Sequence, residues 1–114
     1  GLRVLEDTAR FVWETSSLFR KLREIRHALD RTTRSAYPTL LAARASVRDM
    51  GRTMKETPAR SWRGLVVSNF RRTQEALRVL EEYGKTISPA AAPRFKAMRF
   101  RLYSAEKQTI KKFF

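Results

Sequence analysis

Residues 1–12 (GLRVLEDTARFV) and 76–87 (ALRVLEEYGKTI) align without a gap at an offset of 75. Five of the twelve positions are identical, from Leu2/Leu77 to Glu6/Glu81, and four more keep their chemistry: Gly1/Ala76, Asp7/Glu82, Arg10/Lys85 and Val12/Ile87. A repeat in a chain of 114 residues predicts two related units that pack on each other and frame a site between related polar faces. KLREIRHAL (21–29) and KAMRFRLYS (96–104) share Lys21/Lys96 and Arg26/Arg101 at the same offset. Each half therefore reads as a helical hairpin, over roughly 1–35 and 61–110 of a single domain, 1–114.

Helical periodicity runs through the chain. Between 62 and 87 the apolar positions Trp62, Leu65, Val66, Phe70, Ala76, Leu77, Leu80, Tyr83, Gly84 and Ile87 share one arc of a 3.6-residue wheel, with Gln74 and most charges elsewhere. Ser61 suits the N-cap and Ser88-Pro89 the stop. A first helix is expected over 2–16, and a second over 17–33 with Leu18, Leu22, Ile25 and Leu29 inward. A third is expected from Pro38 through Leu41 and Val47 to about Met50, ending at Gly51. Residues 52–60 read as a loop. Pro93 should open the last helix, with Phe95, Met98, Leu102 and Ala105 inward. The fold class is all-α, a bundle of about five helices.

Lysine and arginine outnumber acids 25 to 11, giving a net charge of +14. Such a field selects anionic partners: phosphorylated metabolites, nucleic acid or acidic membranes. The absence of cysteine excludes disulfides and cysteine-based zinc sites. No apolar run approaches the roughly 20 residues of a membrane span, and no signal peptide is visible, so a cytoplasmic protein is expected. The chain opens inside a helical pattern, which suggests a missing native N-terminal segment. Neither GxxxxGK[ST] nor GxGxxG occurs, so a nucleotide would have to be held by side chains and helix ends.

Asn69 falls in the middle of the apolar arc, where an amide needs partners. It is either a packing device or the wall of a pocket, with Arg72 one turn along and aimed at a phosphate. His27 is the only histidine, and with no cysteine a transition-metal site is disfavoured. Magnesium needs only carboxylates and phosphate oxygens. Glu6, Asp7, Asp49, Glu75, Glu81 and Glu82 are the carboxylates considered for it, each with a helix-face salt bridge as the competing role. Trp62, Phe100 and Tyr103 among basic residues resemble a single-strand platform, but their helical spacing favours packing.

LRVLED-x-ARF (2–11), LRxIRHxL (22–29), DMG (49–51), N-x-x-R-x-x-EALRVLEEYGK (69–85) and MRFRLYSAE (98–106) together resemble one family. It is the small helical domain commonly fused ahead of bacterial thiamine phosphate synthase, described as a hydroxymethylpyrimidine phosphate kinase. The family typically carries an N-x-x-R-x-x-E lead before its first LRVLED, matching Asn69, Arg72 and Glu75 of the second copy. This chain lacks the lead at Gly1.

The resemblance implies transfer of the γ-phosphoryl of ATP, with magnesium, onto 4-amino-5-hydroxymethyl-2-methylpyrimidine phosphate to give the diphosphate. The nucleophile is already an anionic phosphate oxygen, so the site must mainly bring two anions together and neutralise charge. Asn69 and Arg72 are the expected pocket groups. Arg26, Arg99 and Arg101 are the phosphate-binding candidates, His27 a pyrimidine or phosphate contact, and Glu75 a magnesium ligand; the catalytic residues stay unassigned. A non-catalytic module docking on thiamine phosphate synthase is the second reading. A nucleic-acid-binding domain, motivated by charge alone, is the third. A homodimer is compatible with the repeat, and no membrane partner is expected.

Overall fold

The structure, a computed structural model, describes residues 1–58 and 61–114, and no strand occurs among them. Helix α1 (Leu2–Asp7) continues into a π-helical turn (Thr8–Val12). A short turn leads to α2 (Ser16–Thr33); α3 (Tyr37–Ala42), α4 (Trp62–Ile87) and α5 (Ala92–Phe113) follow. Helix α4 lies along α5, α5 along α2, α2 along α1, and α1 back along α4, so four helices close a ring around one core.

Sequence pattern explains the ring. Leu2, Leu5 and Ala9 of α1, Leu18, Leu22 and Ile25 of α2, Val66, Phe70 and Leu77 of α4, and Phe95, Met98, Leu102 and Ala105 of α5 form one buried cluster. Their i, i+3/i+4 spacing puts an apolar stripe on each helix. Stacking of Trp13 on Phe113, at 4.1 Å between centroids, ties the α1–α2 turn to the end of α5. At the other end Gly1 lies tight against α4: a Cβ there would fall 2.8 Å from the Asn69 carbonyl oxygen.

Several expectations need correction. The first helix is shorter than 2–16; its π turn inserts a residue, and Glu14 then takes a left-handed φ of 47° to reverse the chain. On α4, Trp62, Ala76, Tyr83 and Ile87 face solvent, while Thr73 and Gln74 are buried. Both tolerate burial because they have partners: Thr73 Oγ1 donates to the Asn69 carbonyl at 2.8 Å, and Gln74 Nε2 donates to Glu106 Oε2 at 2.7 Å.

The third helix stops at Ala42, not Met50. Val47 is 81% exposed, and Gly51 sits inside a separate 3₁₀ turn (Met50–Thr53) whose entry is capped by Asp49. Residues 34–58 bury nothing, and a short helix without tertiary packing is marginal. Of the loop expected over 52–60, positions 59 and 60 lie outside the described residues.

Two buried carboxylates are each held by an arginine, one half-buried and one buried. Arg26 of α2 donates from Nε to Glu6 Oε2 and, at 3.2 Å, from Nη2 to Glu6 Oε1 of α1. Arg99 of α5 donates from Nε at 3.0 Å and Nη2 at 2.7 Å to Glu81 Oε2 of α4, and from Nη1 at 2.9 Å to the Tyr103 hydroxyl. The Arg26 hydrogen bond, working against burial, holds the Glu6 carboxyl below the usual range. For Glu81, burial pushes upward most strongly, but the Arg99 hydrogen bond with the Arg99, Arg78 and Lys96 charges outweighs it, so this carboxyl is lowered too.

Glu6 and Glu81 are repeat mates at offset 75, whereas their arginine partners are 73 apart. The Arg26/Arg101 match at offset 75 therefore joins residues in different structural positions: Arg101 of α5 turns to α2 and donates to Glu24 Oε2 at 2.9 Å.

Three outcomes follow from this architecture. Phe70→Ala should cost about 3–5 kcal/mol in chemical denaturation, since Phe70 is fully buried. Glu14→Gly should stabilise by about 1 kcal/mol or less, because glycine relieves the left-handed strain at some entropic cost. Both lowered carboxyls contribute stability that is complete above the ordinary glutamate range and lost as pH falls through their folded values. Unfolding titrations from pH 7 into acid should show that loss, and Glu6→Gln or Glu81→Gln should be less stable at pH 7 with a shallower acid decline.

Candidate functional site

The candidate residues separate into two clefts and two buried ion pairs. Ser61 starts α4 by accepting from the Gly64 amide at 3.0 Å, which fixes the phase of the helix that follows. That phase puts Asn69, 7% exposed, on the buried seam. Asn69 Nδ2 donates to the Leu65 carbonyl at 2.8 Å. A carbonyl only accepts, so the amide orientation is fixed and Oδ1 points the other way. Oδ1 is buried and has no partner among the described residues.

Asn69 and Arg72 line a cleft of about 690 Å³, with Gly64, Leu65 and Ser68 of α4, Val4 of α1, and Glu56, Thr57 and Pro58 of the preceding loop. Arg72 is exposed and makes no ion pair among the described residues. The cleft thus has a cation at its rim and, within its wall, a buried acceptor without a partner among the described residues.

The second cleft, about 530 Å³, runs over the outer face of α2 and is lined by Arg20, Arg23, Glu24, His27, Ala28 and Arg31, with Arg101 of α5 closing one side. His27 and Arg101 were legible as candidates; Arg20, Arg23 and Arg31 were not singled out. Their signal was present in the sequence, as positions 20, 23, 27 and 31 fall on one helical face. Arg23 Nε donates to His27 Nε2 at 3.3 Å. Glu24, the one acid in the lining, is held by Arg101.

Arg26 and Arg99 line neither cleft. Each is bound to a buried carboxylate, and either would have to give that up to hold a phosphate. Glu75 is exposed on α4 and also lines neither cleft. Among the described residues no group of three or more His, Asp or Glu side chains comes together to hold a metal. A divalent ion would have to draw most of its ligands from phosphate oxygens and water, which suits magnesium. No helix among the described residues is long and apolar enough to cross a membrane.

A third basic cleft, between α4 and α5, contains Arg78, Lys85 and Lys96, but Arg78 and Lys85 are paired with Glu81 and Glu82. The α2 groove differs in leaving three arginines without a carboxylate.

Comparison with known proteins agrees with the family that the motif set resembles. The chain is 43% identical over 110 residues to the thiamine-phosphate synthase of Synechococcus sp. (strain CC9605), covering 93% of this chain and 30% of that protein. It is 37% identical over 111 residues to the thiamine-phosphate synthase of Thermosynechococcus vestitus, again 93% of this chain and 30% of the relative. The thiamine-phosphate synthase of Rhodopirellula baltica is 34% identical over 111 residues, 91% of this chain and 29% of the relative. The chain thus spans about a third of the length of these relatives. No solved structure matches it. A family model described as the ThiD2 family matches residues 1–108, well over half of the chain, and the chain belongs to that family.

Proposed function

We propose that the domain acts in thiamine biosynthesis, phosphorylating 4-amino-5-hydroxymethyl-2-methylpyrimidine phosphate to the diphosphate with ATP and magnesium. The observation that carries this reading is the Asn69–Arg72 cleft. An aminopyrimidine phosphate presents an exocyclic amine that donates and a phosphate that accepts. Asn69 Oδ1 is a buried acceptor with no partner among the described residues, so a donor that reaches it by a small opening of the cleft wall gains a hydrogen bond without displacing another. Arg72, one turn along the same helix, is a free cation for the phosphate. The similarity to thiamine-phosphate synthases supports the pathway, since those enzymes' name places them in the same biosynthesis.

In this reading the substrate phosphate is the nucleophile and needs no general base. The protein's task is to seat two anions in line and offset their repulsion with guanidinium charge. Arg26 and Arg99 serve by holding the helices in register. Magnesium, when bound with the donor, neutralises phosphate oxygens; Glu75 is the carboxylate we assign to its outer surroundings. Cytoplasmic action and association with thiamine phosphate synthase belong to the same proposal.

A specific observation also favours the docking alternative: Leu40, Leu41, Val47, Met50 and Met54 are exposed on the segment that adds nothing to the core. A module of that kind would bind the synthase without turnover.

A coupled assay separates the two. The purified chain, alone and with an N-x-x-R-x-x-E lead added, is supplied with ATP, magnesium and the pyrimidine phosphate; synthase and thiazole phosphate report product as thiamine phosphate. Turnover is expected, and none from either folded chain would transfer the case to docking. Asn69→Ala should reduce kcat/KM about tenfold or more through the lost hydrogen bond. Arg72 is exposed, so the unphosphorylated alcohol should be disfavoured by only about fivefold through this contact, as for other solvated ion pairs.

A further inference from the structure

We infer that the outer face of α2 is a binding site for a triphosphate chain that takes no account of the base attached to it. Arg20, Arg23, His27 and Arg31 occupy one stripe, about 16 Å long at 1.5 Å per residue. Arg101 reaches the same groove from α5. Like charges three and four residues apart oppose helix formation. Arg3, Arg26, Arg34, Arg78 and Arg99 each have a carboxylate. Here four arginines converge on a concave surface whose single acid, Glu24, is already held. Arg101 is the partner of Glu24, so the charge of Arg20, Arg23 and Arg31 has no carboxylate among the described residues, and a linear polyanion matches a linear row of planar forks.

The lining also says what is not read. It contains no Phe, Tyr or Trp ring, its one imidazole, His27, is engaged by Arg23, and Ala28 is its only apolar side chain. Phe19, on the same helix, lies beneath the guanidinium groups of Arg10 and Arg23 and does not line the groove. A purine would find no large aromatic platform and no apolar slot, only an imidazole already held by a guanidinium. The phosphates carry the affinity and the base contributes little, so nucleoside triphosphates and inorganic tripolyphosphate are equivalent ligands. As the seat of a phosphoryl donor the groove rests on the kinase reading; as a triphosphate site it stands independently.

Calorimetric titration of the chain with tripolyphosphate, ATP, GTP and AMP, without pyrimidine substrate, tests this. Tripolyphosphate, ATP and GTP should bind within about threefold of one another, and AMP about tenfold or more weaker, with affinity falling as salt rises. Arg23→Gln with Arg31→Gln should weaken the three triphosphates about tenfold or more, since two charge-assisted contacts are lost, while the thermal midpoint does not fall, as like-charge repulsion on the helix is relieved. Arg72→Gln should leave them as they were.

Three results would overturn the site: affinity that tracks the base, binding unaffected by the paired α2 substitutions, or a single-stranded oligonucleotide held in this groove more tightly than tripolyphosphate. Triphosphate binding without turnover in the coupled assay would keep the groove and end the kinase reading. Turnover indifferent to the α2 substitutions would do the reverse.

Discussion

Two carboxylate–guanidinium contacts, Glu6 with Arg26 and Glu81 with Arg99, fix how everything else is arranged. An apolar stripe tolerates a small rotation of its helix, because one methyl group replaces another in the same space. A buried carboxylate does not, since losing its partner leaves an uncompensated charge in a poor solvent. Each contact therefore sets the phase of one helix against the next, α2 against α1 and α5 against α4. With α2 locked by Arg26, Leu18, Leu22 and Ile25 face the core and the row from Arg20 to Arg31 faces outward. The basic groove is the reverse side of an internal constraint.

Much of this was legible in residue pattern. The bounds of α4, its Ser61 cap and the inward stripes of α2 and α5 follow from spacing that a helix alone can satisfy. The phase of the second helix in each hairpin did not. A shared Lys and Arg at offset 75 pointed to one register, and the structure pairs charges in another, two residues away. The two hairpin turns differ, one passing through a π turn and a left-handed Glu14, so a repeat that holds in the first helices slips in the second. Gln74 was misplaced for another reason: a wheel weighs polarity, whereas burial depends on whether a polar group finds a partner.

The candidate site divides along the same line. Asn69 stood out because a lone amide on an apolar arc contradicts its neighbours. Arg20, Arg23 and Arg31 did not, since a row of cations on a helix ordinarily means a solvated face. What distinguishes them is that no acid from an adjoining helix lines the groove and that Arg101 approaches it, both properties of packing between segments far apart in sequence. Arg26 and Arg99 erred in the opposite sense: their type suited phosphate, and their geometry gave them to glutamates.

The stretch from 34 to 58 joins the two hairpins without adding to the core that holds them together. In physical terms the bundle is an association of two pieces that happen to share a backbone, and the join is topologically expendable. Only Glu56, Thr57 and Pro58 return to the body of the protein, where they wall one side of the Asn69 cleft. Cutting or lengthening the join would spare the folded bundle and alter that one wall. Evolution is thus free to vary the connection as a means of reshaping the cleft while the helices that carry Asn69 and Arg72 stay as they are.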